Sequence, residues 1–151
     1  MPSSQELAEA RMVPEHLAPA YGVSMVEAYK RFFRRAFTFS GYASRSEFWW
    51  ATLVNVLIDI LLIAPMGTLL SIDGGAGASA ESVAVVFAAL LMIFQFVILV
   101  PGISLYIRRL HDTGRPGLWL LLVLVPFGRI ILTIMACLDS RPEQWRPEWS
   151  R

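Results

Sequence analysis

Val83-Ala84-Val85-Val86-Phe87-Ala88-Ala89-Leu90-Leu91-Met92-Ile93-Phe94-Gln95-Phe96-Val97-Ile98-Leu99-Val100-Pro101-Gly102-Ile103-Ser104-Leu105-Tyr106-Ile107 decides what kind of protein this is. The stretch contains no Asp, Glu, Lys or Arg. As a helix rising ~1.5 Å per residue it is long enough to cross a bilayer core of ~30 Å, which takes ~20 residues. Pro101-Gly102 predicts a kink near its end. Upstream, beyond a polar loop at 71–82 with Ser71, Asp73, Gly74, Gly75, Gly77 and Ser79, lies a second such run, 48–70. Downstream, a tight basic loop from Arg108 to Gly117 leads to a third, 118–138, with Pro116 placed for the first helical turn. The expectation is an all-α integral membrane protein with a three-helix transmembrane bundle. The third run carries Pro126-Phe127-Gly128-Arg129, where a re-entrant hairpin is the alternative. Such a turn exposes backbone at membrane depth unless protein surrounds it, so a full crossing is preferred.

Composition agrees. Of 151 residues, 56% are hydrophobic and 17% charged, against roughly 45–50% and about 25% in soluble domains. A net charge of +1 gives no field that would attract nucleic acid. Cys137 is the lone cysteine, which excludes an intramolecular disulfide or a multi-cysteine metal site. The first residues lack the basic and apolar regions of a cleavable signal, so the first run is expected to serve as the insertion signal.

Ahead of the runs, residues 24–37 alternate at helical spacing. Met25, Val26, Tyr29, Phe32, Phe33, Ala36 and Phe37 share one face, while Glu27, Lys30, Arg31, Arg34 and Arg35 take the other. Ser24 with Glu27, and Ser44 with Glu47, read as capping boxes. The first of these helices is expected to lie in the headgroup plane; packing on a soluble core is the alternative. Residues 1–23 are expected to be a flexible tail and 139–151 an irregular one, leaving 24–138 as the membrane domain. Lys30, Arg31, Arg34, Arg35 and Arg45 precede the first run, and Arg108, Arg109 and Arg115 fill the second loop, whereas 71–82 has no Lys or Arg. That bias predicts an inner-membrane protein with its N-terminus and second loop in the cytoplasm and Trp49, Trp50, Tyr106 and Trp119 in the cytoplasmic aromatic belt. Arg141, Arg146 and Arg151 then sit awkwardly, since three crossings put them outside.

Inside the runs the polar exceptions are Asn55, Asp59, Gln95, Arg129 and Thr133. Asp59 and Arg129 each lie about 16 Å from the cytoplasmic end of their run, and Gln95 about 18 Å, near the midplane. A lone charge there costs about 2.5–3.5 kcal/mol. The depths predict an Asp59–Arg129 pair with Gln95 beside it, either holding helices together or lining a path for a polar solute or proton.

Arg108-Arg109-Leu110-His111-Asp112-Thr113-Gly114-Arg115 is the densest polar stretch. One adjacent His and Asp rarely chelate the same metal, and no nucleophile accompanies them, so neither catalytic residues, nor a metal, nor a cofactor is expected. Arg108, Arg109 and Arg115 are expected to hold lipid phosphates, and Asp112 or Thr113 to cap the third helix. Arg45 is a partner for Asp112, and Glu47 for one of the arginines.

Phe39-Ser40-Gly41-Tyr42-Ala43-Ser44-Arg45-Ser46-Glu47-Phe48-Trp49 and Arg108 to Arg115, in that order and spacing, make residues 25–138 resemble domain of unknown function 805, a family of small bacterial inner-membrane proteins. Tyr42 stands where an arginine is common, and the usual glycine- and asparagine-containing ending is missing. The resemblance implies a multi-pass helical membrane protein and supplies no activity. Its matching residues (Gly41, Ser44, Arg45, Glu47, Trp49, Arg108, Arg109, His111, Asp112, Gly114) all fall at one expected interface. Two functions follow. One is a structural or interaction protein, as a single chain or a homo-oligomer, docking membrane lipids or another membrane protein through Arg45, Glu47, Arg108, Arg109, His111, Asp112 and Arg115. The other is a small transporter or channel component using Asn55, Asp59, Gln95, Arg129 and Thr133.

Overall fold

The computed structural model describes residues 13–72 and 78–150, and among these there are helices and turns but no strand. The expected tail at 1–12 and the loop centre at 73–77 lie outside the described residues. Helix α1 is Met25–Arg34, α2 is Arg45–Ile72, α3 is Ala78–Asp112 and α4 is Gly128–Cys137; 3-10 turns cover Gly117–Leu124, Pro142–Gln144 and Pro147–Ser150. Two stretches are long and apolar enough to cross a membrane, Arg45–Gly67 and Ser82–Asp112. Only 11% and 6% of their most apolar windows are buried within the protein, whereas the core helix of a soluble protein hides its apolar side chains. Leu61, Met92 and Phe96 are among those turned outward. α3 runs on through Pro101 and past the apolar run to Asp112, so the expected loop from Arg108 shrinks to the residues after Asp112.

The third run is not one transmembrane helix. Its first limb is the 3-10 helix, which ends where Val125 turns extended (φ −96°, ψ 139°). The cause is Pro126, whose ring disfavours the helical conformation in the residue before it. Phe127 then adopts a left-handed conformation (φ 66°), and at Gly128 a Cβ would overlap the carbonyl of Leu122, so only glycine lets the second limb pass that close. Hydrogen bonds from the Val125 N–H to the Leu122 carbonyl (3.0 Å) and from the Gly128 N–H to the Val125 carbonyl (2.9 Å) close the turn. α4, with ten residues, is about 15 Å long, half a bilayer core. It packs back on the first limb: Leu132 and Met135 join Leu110 in a buried cluster against Tyr106, Leu120 and Leu122. The third run thus turns back on itself at Pro126-Phe127-Gly128, as the hairpin alternative expects, and its short 3-10 limb keeps its own hydrogen bonds.

The chain divides into two compact units, one made of residues up to Ala51 together with those from Pro101 onward, the other of Thr52–Val100. The first holds most of the buried side chains. Neither of its flanks is loose. Residues 13–23, expected to be flexible, are held by their carbonyls: Ala18 accepts from Arg31 (3.2 Å) and Arg35 (3.3 Å), Leu17 accepts from the amide of Tyr42 (3.0 Å), and Leu17 is itself buried. The C-terminal segment is irregular, yet Trp145 stacks on Tyr42 with ring centres 3.9 Å apart and Trp149 stacks on His111 at 4.6 Å. Both segments meet at Gly41 (φ 86°). Its amide reaches the Trp149 carbonyl at 2.6 Å, and a Cβ there would sit 2.6 Å from the Leu17 carbonyl oxygen. Nor does α1 turn its whole basic face outward. Arg31 and Arg35 point inward beside buried Ala28 and Phe32, while Lys30 and Arg34 remain exposed.

Candidate functional site

The polar site is built on two helix ends. At the start of α2, Ser44 Oγ accepts the amide of Glu47 (3.2 Å), as a capping serine does. The return half of the expected box is missing, because the Glu47 carboxylate is drawn to guanidinium groups. Arg108 Nη1 donates to Glu47 Oε1 at 3.1 Å, with both side chains fully buried, and Arg31 and Arg35 lie 3.6 and 3.7 Å from the same oxygen. Burial, then the neighbouring Arg108, pushes the Arg35 guanidinium down to about 10, which still leaves it charged at neutral pH. Arg31 and Arg35 are absent from the sequence-based site; the available signal was their spacing of four, which stacks them on one side of a helix.

At the end of α3, Arg109 joins four segments. Its Nε donates to the Ala136 carbonyl (3.1 Å) and its Nη2 to that of Leu138, so it caps the C-terminus of α4. Its Nη1 reaches the Ala43 carbonyl (3.2 Å), Ser140 Oγ (3.4 Å) and the Asp112 carboxylate. Asp112 also accepts from Ser140, and its backbone carbonyl takes the amide of Arg141 (2.8 Å). His111 sets Nδ1 3.3 Å from the Gly41 carbonyl and is sandwiched against Trp149.

Several expected roles change accordingly. Arg108 and Arg109 are interior side chains: Nη1 of Arg108 serves Glu47, and the donors of Arg109 serve Asp112 and backbone carbonyls, so neither lies on the open surface as expected. Asp112 and Thr113 do not cap a third helix: Asp112 faces Arg109, and Thr113 Oγ1 donates to the Leu110 carbonyl (2.9 Å). Arg45 pairs with Asp139 rather than Asp112. Arg45 and half-buried Arg115 are the members of the group that keep an outward side. Arg45 and Asp139 also line a cleft of about 410 Å³ with Tyr21, Ser46 and Ser140.

In the unit of Thr52–Val100, Gln95 Nε2 donates to Asp59 Oδ1 at 2.7 Å. Asn55 stands one turn before Asp59 on α2. Arg129 opens α4 in the other unit, where its carbonyl accepts Thr133 Oγ1 (2.8 Å), so an Asp59–Arg129 pair is no part of either unit's own packing. Among the described residues no three His, Cys, Asp or Glu side chains converge.

Comparison with known proteins gives a family match: the family described as "Protein of unknown function (DUF805)" covers residues 36–146. Inner membrane protein YhaI of Escherichia coli K12 is 33% identical over 103 residues, 68% of this chain and 75% of the relative. Inner membrane protein YhaH of the same strain is 33% identical over 109 residues, 72% of this chain and 82% of the relative. No solved structure matches.

Proposed function

This chain belongs to the DUF805 family, and from that premise we propose that it is an inner-membrane interaction protein, not an enzyme, that docks anionic lipid headgroups at the cytoplasmic face. Its relatives carry the name of inner membrane proteins. α2 and α3 cross the bilayer, and the hairpin of the third run enters and leaves on one side. That arrangement puts the N-terminus, the Arg108–Arg115 stretch and the arginines of the C-terminal segment together in the cytoplasm, in accord with the bias of Lys and Arg toward that side.

The observation that carries the reading is what stays outward once the interior is paired. Arg45 and Arg115 lie in the same unit as exposed Trp49, Trp50 and Trp119. Indole rings settle at headgroup level, and a basic side chain near an anionic surface contributes about 1 kcal/mol. The full chain in nanodiscs tests this by its preference for phosphatidylglycerol over phosphatidylcholine, measured as lipid retained in native mass spectrometry. Arg45→Gln and Arg115→Gln should each weaken that preference about fivefold. An unchanged preference in the double variant refutes surface docking.

A second reading rests on the Gln95–Asp59 hydrogen bond, an acid with a donor in a lipid-crossing segment. In it, several copies of the chain surround a path for protons or a polar solute. Proteoliposome flux abolished by Asp59→Asn would support it, and absent flux from the native protein would end it.

A further inference from the structure

Once the internal pairs are drawn, one imbalance remains. Arg108, Arg31 and Arg35 converge on a single carboxylate oxygen, Oε1 of Glu47, so three positive charges face one negative and two are uncompensated. Only Arg108, through Nη1, is at hydrogen-bond distance from it. The other edge of the Arg108 fork, Nε and Nη2, is buried and meets no acceptor; the same is true of Nε on Arg31 and on Arg35. Nη2 of Arg31 donates to the Ala18 carbonyl, and the two Nη groups of Arg35 donate to the carbonyls of Ala18 and His16. Glu47 Oε2 is equally buried and has no donor.

Guanidinium does not relieve this by losing its proton, and buried charge without a counter-charge is strongly unfavourable. Four buried donor nitrogens and one buried acceptor without a partner in the chain define the chemistry of a group that would satisfy them. It must be negative, must offer adjacent oxygens to the Arg108 fork, and must carry a hydroxyl for Glu47 Oε2. Phosphate oxygens fit a guanidinium edge two at a time.

We propose that Arg31, Arg35, Arg108 and Glu47 form a binding site for one phosphate group bearing a nearby hydroxyl. Its oxygens accept from the Arg108 edge and from Nε of Arg31 and Arg35, and its hydroxyl donates to Glu47 Oε2. Arg31, the least buried of the three with 16% of its side chain exposed, marks the way in. Both the phosphoglycerol headgroup of phosphatidylglycerol and inorganic hydrogen phosphate have this chemistry. The site deepens the headgroup reading and rests on it only for a lipid as the source.

Thermal unfolding of the full chain in neutral detergent tests the site. Sodium phosphate is titrated against sodium chloride at matched ionic strength, and phosphatidylglycerol against phosphatidylcholine in mixed micelles. The expected result is a rise in Tm with phosphate or phosphatidylglycerol that chloride and phosphatidylcholine do not give. Arg31→Gln and Arg35→Gln should each raise the half-saturating concentration at least tenfold, read against each variant's own baseline. Glu47→Gln, which removes the competing negative charge but keeps an acceptor, should lower it at least tenfold. A response to phosphate identifies a free anion, and a response to phosphatidylglycerol alone identifies the headgroup. No response to either in the native chain and in Glu47→Gln overturns the proposal, as does an unchanged response in both arginine variants. Arg45→Gln with Arg115→Gln leaves the phosphate response intact, so loss of surface docking and loss of this site are read separately.

Discussion

Replacing Arg109 by glutamine should be the most damaging single change outside the apolar runs. The guanidinium serves the carbonyls of Ala43, Ala136 and Leu138 and the Asp112 carboxylate, all from a fully buried position. Each such bond to a charged donor is worth about 1.5–3 kcal/mol, but the bonds act as one network and do not add. The governing quantity is the Asp112 carboxyl left buried without its partner, about 3–5 kcal/mol where it stays ionised. Burial pushes that carboxyl up to about 7 even beside Arg109, so the loss grows as pH rises above that value. For a chain of this size 1 kcal/mol moves Tm by about 2–4 °C, so Arg109→Gln should lose roughly 6–20 °C. The emission of Trp145 and Trp149, both buried beside this network, reports the loss during heating in detergent. Adding Asp112→Asn to Arg109→Gln removes the stranded charge and should regain part of the loss, whereas Arg109→Lys, which keeps charge without the fork, should fall between. A fall below about 2 °C for Arg109→Gln, or a double variant no better than the single, refutes the account.

Gly128→Val forces the Leu122 carbonyl away and should open the hairpin, detected as increased labelling of Cys137 by a membrane-impermeant thiol reagent. Trp145→Ala removes the ring stacked on Tyr42 and should cost about 3–5 kcal/mol, with limited proteolysis then releasing the segment after Leu138. Gln95→Leu strips Asp59 of its donor and should lower stability by about 1–2 kcal/mol, while Gln95→Leu with Asp59→Leu restores it; a double variant as weak as the single counts against the pair. A reporter fused to the C-terminus should read cytoplasmic, and an extracytoplasmic signal would rule out the re-entrant hairpin.

Much of the candidate site was legible and some of it misleading. Ser44 three residues before Glu47 marks the start of α2 from spacing alone, and putting both motifs at one interface leads to an arginine as the Glu47 partner. Which arginine, and how many, is not written in the spacing. The periodicity of α1 identifies a basic face, but it does not say that Arg31 and Arg35 find a carboxylate inward while Lys30 and Arg34 do not. Arg108 and Arg109 looked like headgroup ligands because an arginine at a helix end is usually solvated. Only the folded neighbours supply Glu47, Asp112 and the open end of α4 to hold them inside.

From the order of residues alone come the runs long and apolar enough to cross lipid, the capping serines and the crowding of charge at one end of those runs, because hydrophobicity and helical period are local properties. Tertiary structure alone decides that the third run doubles back. An apolar segment has the same affinity for lipid whether it crosses or returns; what tips the balance is Tyr106 and Leu110 packing against both limbs and Arg109 satisfying the carbonyls at the end of α4. The two chain flanks meet at Gly41 for the same reason: contacts between residues 25 positions apart (Leu17 and Tyr42) and 108 apart (Gly41 and Trp149) leave no trace in either stretch read by itself.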